Sequence, residues 1–157
     1  MVIFVAFGFL MGFRFPQPDN EDHFEQVCLR FYRKLWDNES LSLYAKRGER
    51  QHGVDIYDPL GIAPSGAIQC KHHESTKNLS PSEINDEVAK AEKSPLVFER
   101  YVIATTAKKS KNAQNVVAGL NQRPASDKKF AVEIHFWEDI CERLETFSLP
   151  VAHLIVF

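Results

Sequence analysis

The stretches Gly53-Val54-Asp55-Ile56-Tyr57-Asp58 and Ala67-Ile68-Gln69-Cys70-Lys71 decide how this chain folds. Residues 59–66 between them carry Pro59, Gly61, Pro64 and Gly66, a composition that interrupts regular structure and makes a loop. Each flank is short and rich in apolar and β-branched residues, so the two read as strands joined across that loop. Side chains alternate faces along a strand. Gln69 and Lys71 therefore point one way and Ile68 and Cys70 the other, while Val54 and Ile56 share a face and Asp55 takes the opposite one. With the strands paired, Asp55, Gln69 and Lys71 meet on one face. Burying an acid, an amide and an ammonium without partners is costly, so their convergence marks a polar site rather than a plain core strand.

Residues 41–45 are short and apolar, and with 53–58 and 67–71 they are expected to form an antiparallel meander. Upstream, Phe24, Val27, Cys28, Phe31 and Leu35 recur at three- and four-residue steps, as on a helix with one buried face, capped by Asp19 or Asn20. Downstream, Ser80-Pro81-Ser82-Glu83 is a helix start: Ser80 caps, Pro81 suits the first helical position and Glu83 completes a capping box. Ile84, Val88 and Ala91 form its buried stripe, and Ser94-Pro95 ends it. Tyr101-Val102-Ile103-Ala104 reads as a buried strand continuing into Thr105-Thr106, and Ala113, Val116, Val117 and Leu120 mark another helix. Residues 131–136 give a fifth strand and 137–144 a closing helix. Helix, three strands, helix, strand, helix, strand, helix, with no internal repeat or linker, is the pattern of one α/β domain.

The chain has 157 residues, 44% hydrophobic and 25% charged, enough for a single core and unlike a disordered composition. A net charge of −2 does not advertise a polyanion binder. The charge is uneven, however: Arg100, Lys108, Lys109, Lys111, Arg123, Lys128 and Lys129 stand against Asp127 alone between residues 100 and 130. A local basic face of this kind suits phosphate, and it equally suits a solvated lysine-rich surface. Cys28, Cys70 and Cys141 lie at long spacings without a CxxC, as reduced thiols of a cytoplasmic protein do, and offer no zinc site.

The ends read differently from the middle. Residues 1–13 are almost wholly apolar but fall short of the roughly 20 residues of a membrane-spanning helix and lack a basic start. Residues 1–18 are accordingly expected to be an added leader, with a weak membrane-surface anchor as the second reading and no stable membrane insertion. Leu154-Ile155-Val156-Phe157 reads as a strand without a polar cap, so 147–157 are expected to be a tail opening a further segment of a longer polypeptide.

His52-Gly53-Val54-Asp55 followed by Gln69-Cys70-Lys71 resembles the core of the PD-(D/E)xK nuclease superfamily, in the Asp…Gln-x-Lys form of Mrr-like restriction and defence endonucleases. The likeness extends to Phe24-Glu25 in the first helix, to the run from Arg47 into Asp55, to Ile103-Ala104-Thr105-Thr106-Ala107 and to Phe136-Trp137-Glu138-Asp139-Ile140. It implies a restriction-endonuclease-like αβββαβ core with a mixed central sheet flanked by helices, over residues 19–146. It also implies an endonuclease that hydrolyses phosphodiester bonds of DNA, with RNA as the other candidate, in restriction or antiviral defence.

The cofactor so implied is Mg²⁺, with Mn²⁺ as a substitute. Its ligands would be Asp55, the Gln69 side-chain oxygen and the Cys70 carbonyl, joined by Glu25 directly or through water. Lys71 would orient the attacking water and steady the developing phosphorane charge, so its work is expected in the transition state and not in folding. Val54 stands where the family has proline, a change of backbone shape only. Gln69 stands where it usually has an acid; an amide oxygen binds a hard cation without adding charge, leaving more of the affinity to Asp55 and Glu25.

Arg47, Arg50, Gln51, His52, His72, Lys108, Lys109 and Lys111 are candidate phosphate contacts, and each also fits a turn, packing or solvation role. Glu25 fits a plain surface carboxylate equally well. Cutting both strands of a duplex favours a homodimer, and specificity is expected from a fused or separate sensor or NTPase component. Two other classes stand beside this reading. One is a catalytically silent nucleic-acid-binding or regulatory module of the same fold. The other is a nucleotide-binding α/β domain, against which Gly61-x₄-Gly66 counts, since Ala67-Ile68 follow where a phosphate loop needs Lys-Ser/Thr.

Overall fold

The computed structural model describes residues 15–45, 49, 52–74 and 76–157. Their elements are α1 (Glu21–Leu35), β1 (Ser42–Leu43), β2 (Ile56–Tyr57), β3 (Gly66–Lys71), α2 (Pro81–Glu92), β4 (Arg100–Thr105), α3 (Lys111–Asn121), a 3₁₀ turn (Ala125–Asp127), β5 (Ala131–Phe136), α4 (Trp137–Leu144) and α5 (Leu149–Val156). One sheet runs β1-β2-β3-β4-β5, with β1, β2 and β3 antiparallel and β3, β4 and β5 parallel. This is the mixed sheet and the αβββαβ order expected from the sequence. Of the expected leader, residues 1–18, positions 1–14 lie outside the described residues, as do the candidates Arg47, Arg50 and Gln51, while Phe15 is buried in the core on the α1 face.

Local chemistry sets the helices. The Asn20 side chain accepts the His23 N–H at 2.9 Å to start α1, and Ser80 and Glu83 form the reciprocal capping box of α2. Parallel neighbours need crossovers, and α2 and α3 supply them for β3–β4 and β4–β5. Both pack on one face, over Ala67, Tyr101, Ile103 and Val132, with Ile84, Val88 and Val117. The opposite face carries Ile56, Ile68, Cys70, Val102 and Ala104 against Phe24, Val27 and Phe31 of α1 and Ile140 and Leu144 of α4. Each fully buried large apolar side chain contributes roughly 1.5–3 kcal/mol. All three cysteines are buried and none forms a disulfide.

Two expectations are corrected. Residues 154–157 are not a strand: α5 spans Leu149–Val156 and buries Ala152, Ile155 and Val156 in the α1 core. Arg30 Nε donates to the Ile155 carbonyl at 3.0 Å. A short apolar run does not distinguish strand from helix, and Pro150 in the first turn was the signal that does. Nor do Val54 and Ile56 share a face, since Val54 joins the α2 core and Ile56 the α1 core. The Asp55 N–H donates to the carbonyl of Ile68, the residue already opposite Ile56, so two residues of one strand face one of the other. Such a bulge breaks the alternation and re-aims a side chain.

Close approach fixes two glycines. Gly53 has φ +68°, and a Cβ there would come within 3.0 Å of the Glu87 carbonyl oxygen and the Lys90 Cβ. Gly66 lies under the Trp36 ring, where a Cβ would be only 2.6 Å from ring carbons. At the outer edge of β5 the Asn121 amide takes the place of a neighbouring strand. Its Oδ1 accepts the Val132 N–H and its Nδ2 donates to the Val132 carbonyl, each at 2.8 Å.

Candidate active site

β3, β4 and β5 are parallel and in register from Lys71 to Thr105 to Phe136, so they end at one edge of the sheet. Two threonines pin the exit of β3 there. Thr105 Oγ1 donates to the Lys71 carbonyl at 2.8 Å, and Thr106 Oγ1 accepts the His73 N–H at 2.7 Å. Their strand-ending position gave no hint of this clamp.

The bulge turns Asp55 into the same edge. It is 3% exposed, and its Oδ2 accepts the Cys70 N–H at 2.7 Å, which fixes the carboxylate against the backbone between Gln69 and Lys71. Gln69 is 6% exposed; its Nε2 reaches the Cys70 carbonyl at 3.5 Å, and its Oε1 is buried with no hydrogen-bond partner. An orphaned buried amide oxygen is costly and is the kind of donor a hard cation takes. A carboxylate, an amide oxygen and a backbone carbonyl form an oxygen set suited to Mg²⁺. Among the described residues no cluster of three or more His, Cys, Asp or Glu exists that could hold a metal, so this oxygen set is the candidate. Lys71 Nζ lies 2.8 Å from Oε1 of Glu87, a buried carboxylate of α2 that the sequence reading missed.

Burial raises the Asp55 carboxyl from 3.8 to about 7, and the charges of Glu25 and Glu21 add to the rise, outweighing the Cys70 N–H and Lys71. Glu25 is half-buried on α1 and near enough to act on Asp55 in this way. A raised carboxyl favours the fold when protonated. Its contribution is whole below pH 3.8 and is lost as pH rises through about 7. A bound cation requires the ionised form. We therefore expect added Mg²⁺ to raise the melting temperature clearly at pH 8 and little at pH 6, as read by scanning calorimetry. An equal shift at both pH values would contradict the assignment of Asp55 as ligand.

The candidate phosphate contacts are scattered. His52 is exposed in a positive-φ turn, φ 50°, beside Gly53. His72 is half-buried, with Nε2 3.0 Å from the Pro18 carbonyl. Lys109 Nζ is engaged by Asp139 at 2.6 Å, the residue that also caps α4 through the Phe136 N–H. Lys108 and Lys111 are exposed beyond the end of β4, on the same edge as Lys71.

A mixed five-stranded sheet flanked by helices, its antiparallel meander running into the parallel strands β4 and β5, is similar to a restriction endonuclease fold. Residues 17–140 match the family model Mrr_cat_2, described as restriction endonuclease, and the chain belongs to that family. Its fold is similar to that of the MspJI restriction endonuclease, solved in complex with a 27-mer oligonucleotide, with a TM-score of 0.52 at 18% identity. The similarity covers 87% of this chain and 32% of that one, so the chain spans about a third of MspJI's length. No curated protein matches the chain. Among the described residues no helix is long and apolar enough to cross a membrane.

Proposed function

We propose that this chain is an Mg²⁺-dependent endonuclease that hydrolyses phosphodiester bonds of DNA in restriction or antiviral defence. The observation that carries the reading is the Asp55 carboxylate held on the Cys70 N–H beside the orphaned Gln69 Oε1, in a chain of a restriction endonuclease family. Asp55, Gln69 Oε1 and the Cys70 carbonyl would hold the ion, with Glu25 adding negative potential from α1. When bound, the ion offsets charge on the scissile phosphate and lowers the pKa of water at the site.

The protein's own part is positioning. Lys71 projects an ammonium at the end of β3, where it donates hydrogen bonds to the attacking water or to a phosphate oxygen as negative charge builds. The Thr105 hydroxyl holds the Lys71 backbone, and with it the reach of that ammonium. Lys108 and Lys111 supply backbone-phosphate attraction that carries no sequence information. Specificity would come from a component outside these contacts, and cutting both strands would take two copies.

Supercoiled plasmid incubated with the protein tests the reading directly. We expect nicked and linear products with Mg²⁺ or Mn²⁺ and none with EDTA. DNA retained in gel shifts but uncut with either metal would favour a silent binding module instead.

A further inference from the structure

Glu87 belongs to none of the motifs that define the site. It interrupts the apolar stripe of α2 between Ile84, Val88 and Ala91, and it is buried, 5% exposed. A carboxylate in that position is costly unless cations and hydrogen bonds satisfy it. Its Oε1 receives two ammonium groups, Lys71 Nζ at 2.8 Å from β3 and Lys90 Nζ at 3.0 Å from the same helix. The surroundings hold it rigidly. The Tyr101 hydroxyl of β4 donates to the Gly53 carbonyl and lies 3.4 Å from the Glu87 carbonyl. Gly53 packs so close that a Cβ would stand 3.0 Å from that carbonyl and 3.3 Å from Oε2. The helix, the central strand and the turn that delivers Asp55 thus lock together around one carboxylate.

Lysine is a flexible four-carbon stem whose charge is a point, so its aim depends on what grips it. The geometry points to Glu87 as the positioning residue of the site: it acts through Lys71, holding Nζ at the sheet edge beside Asp55 and Gln69, and does not itself touch substrate. This inference rests on the nuclease reading. Lys90 is mostly exposed and adds a second cation to the same oxygen, so the buried carboxylate keeps an ion-pair partner while Lys71 is engaged with phosphate.

The test compares plasmid cleavage rates of the full chain with Glu87→Gln and Glu87→Asp across DNA concentrations in Mg²⁺, with thermal midpoints as a check of folding. Misplacing a catalytic group by about 1 Å costs on the order of 10²-fold. We expect Glu87→Gln to lower kcat about a hundredfold and Glu87→Asp, which keeps the charge but shortens the arm, about tenfold. KM for DNA should stay within about twofold in both, because phosphate attraction is spread over many groups. A folded Glu87→Gln protein with the wild-type kcat, or a rise in KM at unchanged kcat, would overturn the assignment. Should the Gln variant not fold, Glu87→Asp decides alone, and wild-type kcat there overturns it equally. A wild-type protein inert in both Mg²⁺ and Mn²⁺ would instead overturn the nuclease reading, and this inference with it.

Discussion

Lys71→Ala is expected to lower plasmid cleavage by on the order of 10³-fold, the scale of a lost charge-stabilising or proton-transfer group. DNA affinity should change little, since one cation is a small share of the phosphate electrostatics. Raising Mg²⁺ should not restore the rate. The sequence places the work of Lys71 in the transition state and not in folding, and the ion pair with buried Glu87 adds an expected share in stability beside it. Removing one partner of a buried pair is strongly destabilising when the other is stranded. Here Lys90 stays on the same oxygen and Lys71 is 26% exposed, which moderates the loss to about 1 kcal/mol or a few degrees in melting temperature. Cleavage at the wild-type rate by Lys71→Ala, at any Mg²⁺ concentration, would sink the nuclease reading.

Asp55→Ala is expected to abolish cleavage by a different route, through loss of the ion. The two variants separate in a binding assay without turnover: Lys71→Ala should keep the Mg²⁺-induced rise in melting temperature at pH 8, and Asp55→Ala should lose it. DNA binding by Asp55→Ala should hold or tighten, because a negative charge leaves the cleft. Gln69→Ala falls between them, weakened at low Mg²⁺ and partly restored at high Mg²⁺, since an amide oxygen contributes a ligand but no charge. A Mg²⁺-induced rise retained by Asp55→Ala would remove that residue from the ion's shell.

Much of this was readable before the fold was known. Helix starts at Asn20 and Ser80 and the loop between residues 59 and 66 rest on local chemistry, which a sequence displays. The order of strands followed from short apolar runs separated by helical periodicity. What escaped depends on register and on contacts across the chain. The bulge at Asp55 comes from one backbone hydrogen bond to Ile68, and no residue type announces it. Strict alternation brought Asp55 toward Gln69 and Lys71 while misplacing Val54, because the bulge changes the parity on one side only. Glu87 was invisible for a plainer reason. A glutamate in a helix is ordinarily solvated, and only the packing of α2 on β3 and β4 reveals that its neighbours include Lys71. The α5 helix escaped because four apolar residues at a chain end carry no periodicity to measure.

The Asn121 amide at the margin of β5 bears on how copies of this protein can associate. An unpaired strand edge is a template on which another molecule can crystallise its own backbone, the first step toward fibres. Here one margin, β1, is two residues long. At the other, Asn121 occupies both backbone groups of Val132 and Asp139 takes the Phe136 N–H, leaving only a short interval of β5 between these two stops. The β5 margin is thereby sealed against growth by side chains of the neighbouring helices, Asn121 of α3 and Asp139 of α4. For two copies meeting on a duplex β5 is thus an unfavourable seam, and the spacing between their two cuts would be set by how other surfaces fit, independently of β5 register.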